Sequence, residues 1–128
     1  EGGKTRQESV KNGLASIKSD RVVIIEIVRP LIGEDDVHRL LEVDHPSVTY
    51  GLNIETPIYD RKRKEYTLPN RMSIIQNLQV FDTKLLKEAH RKTSMRDAPD
   101  DTMLMHEVHG IEPHIVRGDI RALWKLTY

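Results

Sequence analysis

Between Asp20 and Pro30 the chain reads Arg-Val-Val-Ile-Ile-Glu-Ile-Val-Arg, and no other stretch limits the topology so strongly. β-Branched side chains lose rotamer freedom in a helix and pack well on a pleated surface, so this density favours a buried strand. A hydrophobic helix capped by Asp20 and running to Val28 fits the same residues. Pro30 ends either element, because it has no N–H to donate and restricts the residue before it. Both states stay open, and the order of everything downstream hangs on the choice.

The chain has 128 residues, the size of one ordinary domain, and 38% of them are hydrophobic, enough to bury a core. A single Phe and a single Trp make that core mostly aliphatic. Cysteine is absent, which excludes disulfides, thiolate metal sites and cysteine nucleophiles. The longest purely apolar run, Val22-Val23-Ile24-Ile25, falls far short of the roughly 18 residues of a membrane span, so no membrane partner is expected. No charged-then-apolar leader is visible, and Glu1 in place of Met leaves a fragment open. These features suggest an intracellular protein, cytoplasmic or nuclear. Twenty basic and twenty acidic side chains cancel, so any polyanion partner would have to be held by a local patch.

Residues 1–5 read as a disordered start. Val10, Leu14 and Ile17 recur at helical spacing over 6–19, with Gly13 weakening the helix. Residues 34–43 form a better helix: Val37, Leu40 and Leu41 share a face, and Glu34, Asp35 and Asp36 suit its N-terminal dipole. Residues 47–54 fit a short helix, or a strand in which Val48, Tyr50, Leu52 and Ile54 alternate. A β-hairpin is predicted over 56–68, with a basic tip and a loop longer than two residues. The clearest helix spans 74–91. Its Ser73-x-x-Gln76 start matches a capping box, and Ile74, Leu78, Phe81, Leu85 and Ala89 make an apolar stripe. Three short apolar segments follow, at 103–108, 111–116 and 120–128.

A helix at 34–43, a three-residue turn and a second helix from Ser47 would give two crossed helices sharing a core of Val37, Leu41, Val43, Val48 and Leu52. At this point the chain resembles the winged helix-turn-helix regulators over about residues 20–91. The resemblance makes 21–28 the first helix, 58–68 the basic wing and 74–91 a dimerisation helix. It departs from that pattern at His38 and Glu42, where a small residue and a glycine are usual, and in a short recognition helix without Lys or Arg. The resemblance implies an α+β fold with a winged helix-turn-helix-like core at 20–70, a long amphipathic helix at 74–91 and a C-terminal appendage at 101–128. It further implies duplex DNA as partner, a transcriptional regulator, and a homodimer through 74–91. Arg61, Lys62, Arg63 and Lys64 would touch phosphates, while Ser47, Thr49, Tyr50 and Asn53 would face the groove.

Other constellations carry less. His106, His109 and His114 lie close in sequence with Glu107 and Glu112, a set that suits a transition metal, but the spacing misses His-Glu-x-x-His. Scattered loop histidines are the commoner explanation, so no metal or other cofactor is expected. No Gly-rich phosphate loop or Gly-x-Ser-x-Gly elbow appears, so the chain reads as non-catalytic. The alternative reading is a protein-interaction or structural assembly module with a mixed sheet, supported by the neutral charge and the alternation at 47–55 and 111–128.

Overall fold

The computed structural model describes residues 1–123. In chain order the elements are α1 (Arg6–Leu14), β1 (Arg21–Ile25), α2 (Glu34–Leu41), β2 (Ser47–Asn53), β3 (Ile58–Asp60), β4 (Glu65–Thr67), β5 (Ser73–Asp82), α3 (Thr83–Lys92), α4 (Asp101–His109) and β6 (His114–Arg117). Short 3-10 turns lie at Pro69–Arg71 and Ile120–Leu123.

Four strands form one mixed sheet in the order β1-β5-β2-β6, and β3 and β4 pair as a separate hairpin. β5 runs antiparallel to both β1 and β2, while β6 lies parallel to β2. The strands β1, β2 and β6 therefore all point the same way. Helices cover both faces. Leu14 of α1, Leu86 and Ala89 of α3 and Leu104 and Met105 of α4 pack with Val22 and Phe81 of the sheet. On the other face Leu40 of α2 packs with Val48, Tyr50, Leu78 and Val80. This is a layered α/β arrangement, and it overturns the winged helix-turn-helix core.

The block after Asp20 is the strand β1, so the first helix of that core does not exist. The segment taken as a recognition helix is the strand β2, and its first five residues, Ser47 through Gly51, are all buried. Its Val48, Tyr50 and Leu52 alternate as in a strand, while the small Ser47, Thr49 and Gly51 fill the opposite, equally buried face. The expected helix over 74–91 is two elements. Its first half is β5, where Leu78 and Val80 face α2 while Phe81 faces the other helices. Apolar residues on both faces of a strand happened to fall at helical spacing. The true cap of α3 is Asp82, whose carboxylate accepts from the Leu85 N–H at 2.8 Å, not Ser73. Leu78 and Phe81 are buried within the subunit, so they offer no dimerisation stripe.

Three expectations agree with the structure. α2 begins where the acidic cluster lies, and the Gly33 N–H donates to Asp36 Oδ2 at 2.8 Å. The hairpin stands at Ile58–Asp60 and Glu65–Thr67 with the basic residues at its tip. A helix begins at Arg6, capped by Thr5, whose Oγ1 accepts from the Glu8 N–H at 3.1 Å. The start of the chain also packs here, since the Gly3 N–H donates to Ser9 Oγ at 2.8 Å. Of the last apolar segments, 103–108 is part of α4 and 111–116 leads into β6. The segment 120–128 lies partly outside the described residues.

Phe81 is wholly buried between β5 and the α1/α3/α4 layer. Phe81→Ala is expected to lower unfolding free energy by about 3–5 kcal/mol, read as a lower urea midpoint at unchanged slope. A solvent-facing dimer residue would leave the midpoint of the monomeric chain almost where it was.

Candidate functional site

In open α/β sheets ligands bind outside the carboxyl ends of parallel strands, where side chains from several loops converge. Here that edge is formed by the ends of β1, β2 and β6, with the start of β5 between them. Each of the four strands contributes a polar feature.

The turn after β1 carries Glu26 and Arg29. Glu26 Oε2 accepts from Arg29 Nε at 2.9 Å, and the Arg29 N–H closes the turn on the Glu26 carbonyl at 3.1 Å. Both side chains are mostly covered, at 21% and 11% exposure, so a carboxylate and a guanidinium are fixed at the end of β1. Across from Ile25 the partner is Leu78, which places this turn beside an irregularity in β5. Thr49 pairs with Gln79 but Gly51 pairs with Ile75, so three β5 residues, 76–78, stand opposite the single residue Tyr50. Bulges of this kind bend a strand and re-aim its side chains, often next to active sites.

The bulge frees the Gln76 carbonyl from the ladder. It accepts instead from Thr49 Oγ1 at 3.0 Å and Gln79 Nε2 at 3.3 Å. The Gln76 side chain, 1% exposed, donates from Nε2 to the Asp119 carbonyl at 2.9 Å and so ties the bulge to the turn after β6. That turn needs glycine. A Cβ on Gly118 would lie 1.8 Å from Gln76 Oε1.

Beneath α2, these elements enclose a cavity of about 230 Å³. Its wall includes Arg39, Tyr50, Gln76, Arg117, Gly118 and Arg121. Tyr50 donates its hydroxyl to the Asp36 carbonyl at 2.8 Å, and the Arg39 guanidinium lies 5.5 Å from the Tyr50 ring centroid. Burial pushes the Tyr50 phenol up against the opposing charge of Arg39, with Asp36 adding to the rise, so the phenol is a neutral donor. The backbone N–H of Arg121 bonding to Asp119 is the main cause that holds the Asp119 carboxyl below its usual value.

On the opposite face of the sheet, Asp101 is fully buried at the start of α4. It joins three helices. His90 Nε2 of α3 lies 2.9 Å from its Oδ1, and Arg6 of α1 donates from NH2 to Oδ2 at 2.7 Å. Burial drives the Asp101 carboxyl up, but the His90 hydrogen bond and the charge and hydrogen bond of Arg6 outweigh it, so its pKa lies below 3.8. The neighbouring Asp100 accepts from Gln79 Nε2 at 2.6 Å, which links this cluster to the bulge.

The structure disperses the residues singled out for DNA. Ser47 and Thr49 are fully buried, Tyr50 is 4% exposed, and only Asn53 of that set reaches the surface. None of the three buried side chains can face a groove. Arg61, Lys62, Arg63 and Lys64 are exposed at the hairpin tip, where Asp60 Oδ1 accepts from the Lys62 and Arg63 N–H groups at 2.8 and 2.9 Å. The three histidines do not converge. His106 is exposed, and the His109 Nε2–H donates to the Leu85 carbonyl at 2.9 Å. Gly110 then turns the chain with φ +67°, and His114 lies in β6 beside His45. Among the described residues no group of three or more His, Asp or Glu is placed to hold a metal ion. Sequence reasoning assigned no functional role to Glu26, Arg29, Gln76, Arg117 or Asp101. The one local signal was a charged residue breaking the β-branched block at Glu26.

The layered sheet with this polar carboxyl edge is an α/β fold of the nucleotidyltransferase type. The bifunctional IspDF of Campylobacter jejuni superposes with a TM-score of 0.85 at 29% identity, over 100% of this chain and 34% of that one. The 2-C-methyl-D-erythritol 4-phosphate cytidylyltransferase of Thermus thermophilus also gives 0.85, at 27% identity over 100% of this chain and 66% of that one. The family model for IspD, 2-C-methyl-D-erythritol 4-phosphate cytidylyltransferase, matches residues 1–128, and the chain belongs to that family. Named cytidylyltransferases from Halalkalibacterium halodurans and Thermotoga neapolitana are 34% and 32% identical over 127 and 135 residues, covering 91% and 100% of this chain. The chain spans 54% and 59% of their lengths.

These matches overturn the winged-helix resemblance and the DNA-binding regulator built on it. The assembly-module alternative, the non-catalytic reading and the nucleic-acid partner fall with them, and nothing supports a nuclear location. Among the described residues no helix is long and apolar enough to cross a membrane.

Removing one partner of a buried ion pair strands the other charge, so Asp101→Ala is expected to cost about 3–5 kcal/mol of stability near neutral pH. The pH dependence has a definite sign. A carboxyl depressed by folding contributes stability in full above its unfolded value, near 3.8, and loses it as pH falls through the lower folded value. Denaturation of wild type and Asp101→Asn across pH 2 to 7 is therefore expected to converge only at the acid end. A gap independent of pH would contradict the assignment.

Proposed function

We propose that this chain is part of a cytoplasmic cytidylyltransferase that moves a cytidylyl group from CTP to 2-C-methyl-D-erythritol 4-phosphate, with residues 1–128 forming one domain-sized unit of it. The observation that carries the reading is the family match over all 128 residues. In such a transfer an oxygen of the acceptor's phosphate attacks the α-phosphorus of CTP. The bond from that phosphorus to the bridging oxygen breaks, and pyrophosphate leaves with the electron pair.

Both reactants are polyanions, so catalysis rests on positioning and on neutralising charge as it moves to the leaving group. The carboxyl edge of the sheet suits that task. Arg29 is fixed by Glu26 in the turn after β1, and a guanidinium matches phosphate oxygens in a bidentate fork. A magnesium ion that neutralises phosphate charge takes only one or two protein carboxylates, the rest of its ligands being substrate phosphates and water. Glu26 is a carboxylate of the right kind at this edge. The bulge in β5 gives the site its floor, and the Gln76 bond to the Asp119 carbonyl holds the β6 turn against it.

The test uses the full-length protein that bears these residues, supplied with CTP, 2-C-methyl-D-erythritol 4-phosphate and magnesium. Pyrophosphate release that requires both substrates is expected. Arg29→Ala is expected to lower kcat/KM by roughly 10²–10³, the scale for losing one preorganised charge at the reacting centre. Release that is absent in the wild type, or indifferent to Arg29, would overturn the reading.

A further inference from the structure

The Gln79 amide lies inside the fold with more acceptors around it than it has hydrogens. Its Nε2 stands 2.6 Å from Asp100 Oδ2, 3.2 Å from Thr49 Oγ1 and 3.3 Å from the Gln76 carbonyl oxygen that the bulge frees. Its Oε1 is buried and has no partner among the described residues. Thr49 Oγ1 carries a hydrogen that reaches the Gln76 or the Tyr50 carbonyl, at 3.0 and 3.1 Å, so this hydroxyl adapts to either side of an amide. A carboxylate and a carbonyl carry no hydrogen and cannot adapt. Asp100 and Gln76 together therefore decide which way the amide points.

Asp100 divides its two oxygens between two tasks. Oδ1 caps α4, accepting from the Thr102 N–H at 2.8 Å and from the Thr102 hydroxyl. Among the described residues Oδ2 accepts only from Gln79. The Gln79 amide in turn holds the Gln76 carbonyl, and Gln76 Nε2 holds the Asp119 carbonyl at 2.9 Å. The residue before Asp119 is Gly118, whose N–H closes the β6 turn on the Gly51 carbonyl at 2.9 Å. A relay of hydrogen bonds thus crosses the sheet from the start of α4 to its carboxyl edge.

We infer that Asp100 is a positioning residue for that edge. Its Oδ2 fixes the orientation of the Gln79 amide, and through Gln76 it sets the shape of the bulge and the place of the β6 turn. The contact supplies hydrogen-bond polarity rather than bulk or charge, and an asparagine at position 100 exposes the difference. With its oxygen kept on the Thr102 N–H, asparagine turns its NH2 toward Gln79, so that two donors face each other. The Gln79 amide then flips, and Oε1 comes against the Gln76 carbonyl, where two acceptors repel. A serine also caps the helix, yet it leaves the place of Oδ2 to water, which accepts from Nε2. Asp100 is only half-buried, so solvent reaches that place.

The kinetic consequence rests on the transfer proposed above, whereas the relay itself is read without substrate. In the full-length protein, hydrogen–deuterium exchange at the Gly118 N–H is expected to quicken about tenfold in Asp100→Asn and to stay within about twofold of wild type in Asp100→Ser. With CTP and 2-C-methyl-D-erythritol 4-phosphate, kcat/KM is expected to follow the same order. It falls about tenfold or more in Asp100→Asn and roughly two- to threefold in Asp100→Ser, since small displacements far from the chemistry reach the rate. Both variants lose the charge and keep the cap, and asparagine is nearer in size to aspartate. Loss of charge or of packing would therefore give equal effects or the reverse order. Gln79→Met removes the amide, and adding Asp100→Asn to it is expected to change little more, as for residues that act through one contact. An unchanged Gly118 exchange in Asp100→Asn, a larger effect of Asp100→Ser, or additive losses in the double variant would overturn the inference. Should Asp100→Asn fail to fold in a urea titration, exchange at Gly118 in Gln79→Met decides, and no quickening there overturns the relay. An inactive wild type would overturn the transfer instead, and exchange would still decide the relay.

Discussion

The fold depends on β5 being buried on both faces while paired along both edges. Its backbone joins β1 to β2, its Phe81 enters the core under α1, α3 and α4, and its Leu78 and Val80 enter the core under α2. A slip of one residue would exchange these sets and drive Gln79 into the α2 core. The register is therefore fixed by apolar area on both sides at once. With the register fixed, the bulge at 76–78 is fixed too, and so is the place where the strand gives up regular pairing.

That bulge connects two polar regions that lie on opposite faces of the sheet. From the α2 side, Gln76 reaches the β6 turn through its side chain. Its carbonyl accepts from Gln79, whose side chain points to the other face and donates to Asp100. Asp100 caps α4, and the next residue, Asp101, holds Arg6 and His90. Each of these side chains makes at least one hydrogen bond, which offsets part of the cost of removing it from water. The bonded chain fixes the carboxyl edge from both sides.

How much of this was legible in the sequence follows from the same physics. Elements with one wet face were read correctly: α1 in its first part, α2 with its acidic first turn, and the hairpin with its basic tip. Elements without a wet face were not. In β5 apolar residues occupy both faces, so period 2 is erased and positions 74, 78, 81 and 85 imitate a helix, whereas β2 keeps its alternation and was open between strand and helix. The site was illegible for a second reason. Glu26, Gln76 and Arg117 come from three different elements and reach one edge only through the sheet order, while Asp101 lies on the opposite face. Their types are ordinary and their spacings carry no motif, whereas the run at 61–64 is conspicuous in sequence and stands alone in space.

The basic run at 61–64 and the winged-helix resemblance, not the neutral net charge, misdirected the functional reading; the net charge pointed the other way. It argued against a long polyanion, correctly, since a nucleic acid samples charge over a wide surface and favours a net excess of cations. A small phosphorylated ligand samples only the few ångströms around it. Charge in a concave site bordered by apolar side chains is less screened than charge on a protruding tip. Arg29 at 11% exposure therefore weighs more for such a ligand than four cations at the end of a solvated hairpin. Neutrality of the whole chain does not limit the charge at a single edge, because acidic groups such as Asp82 and Asp100 are engaged as helix caps and Glu34 opens a helix.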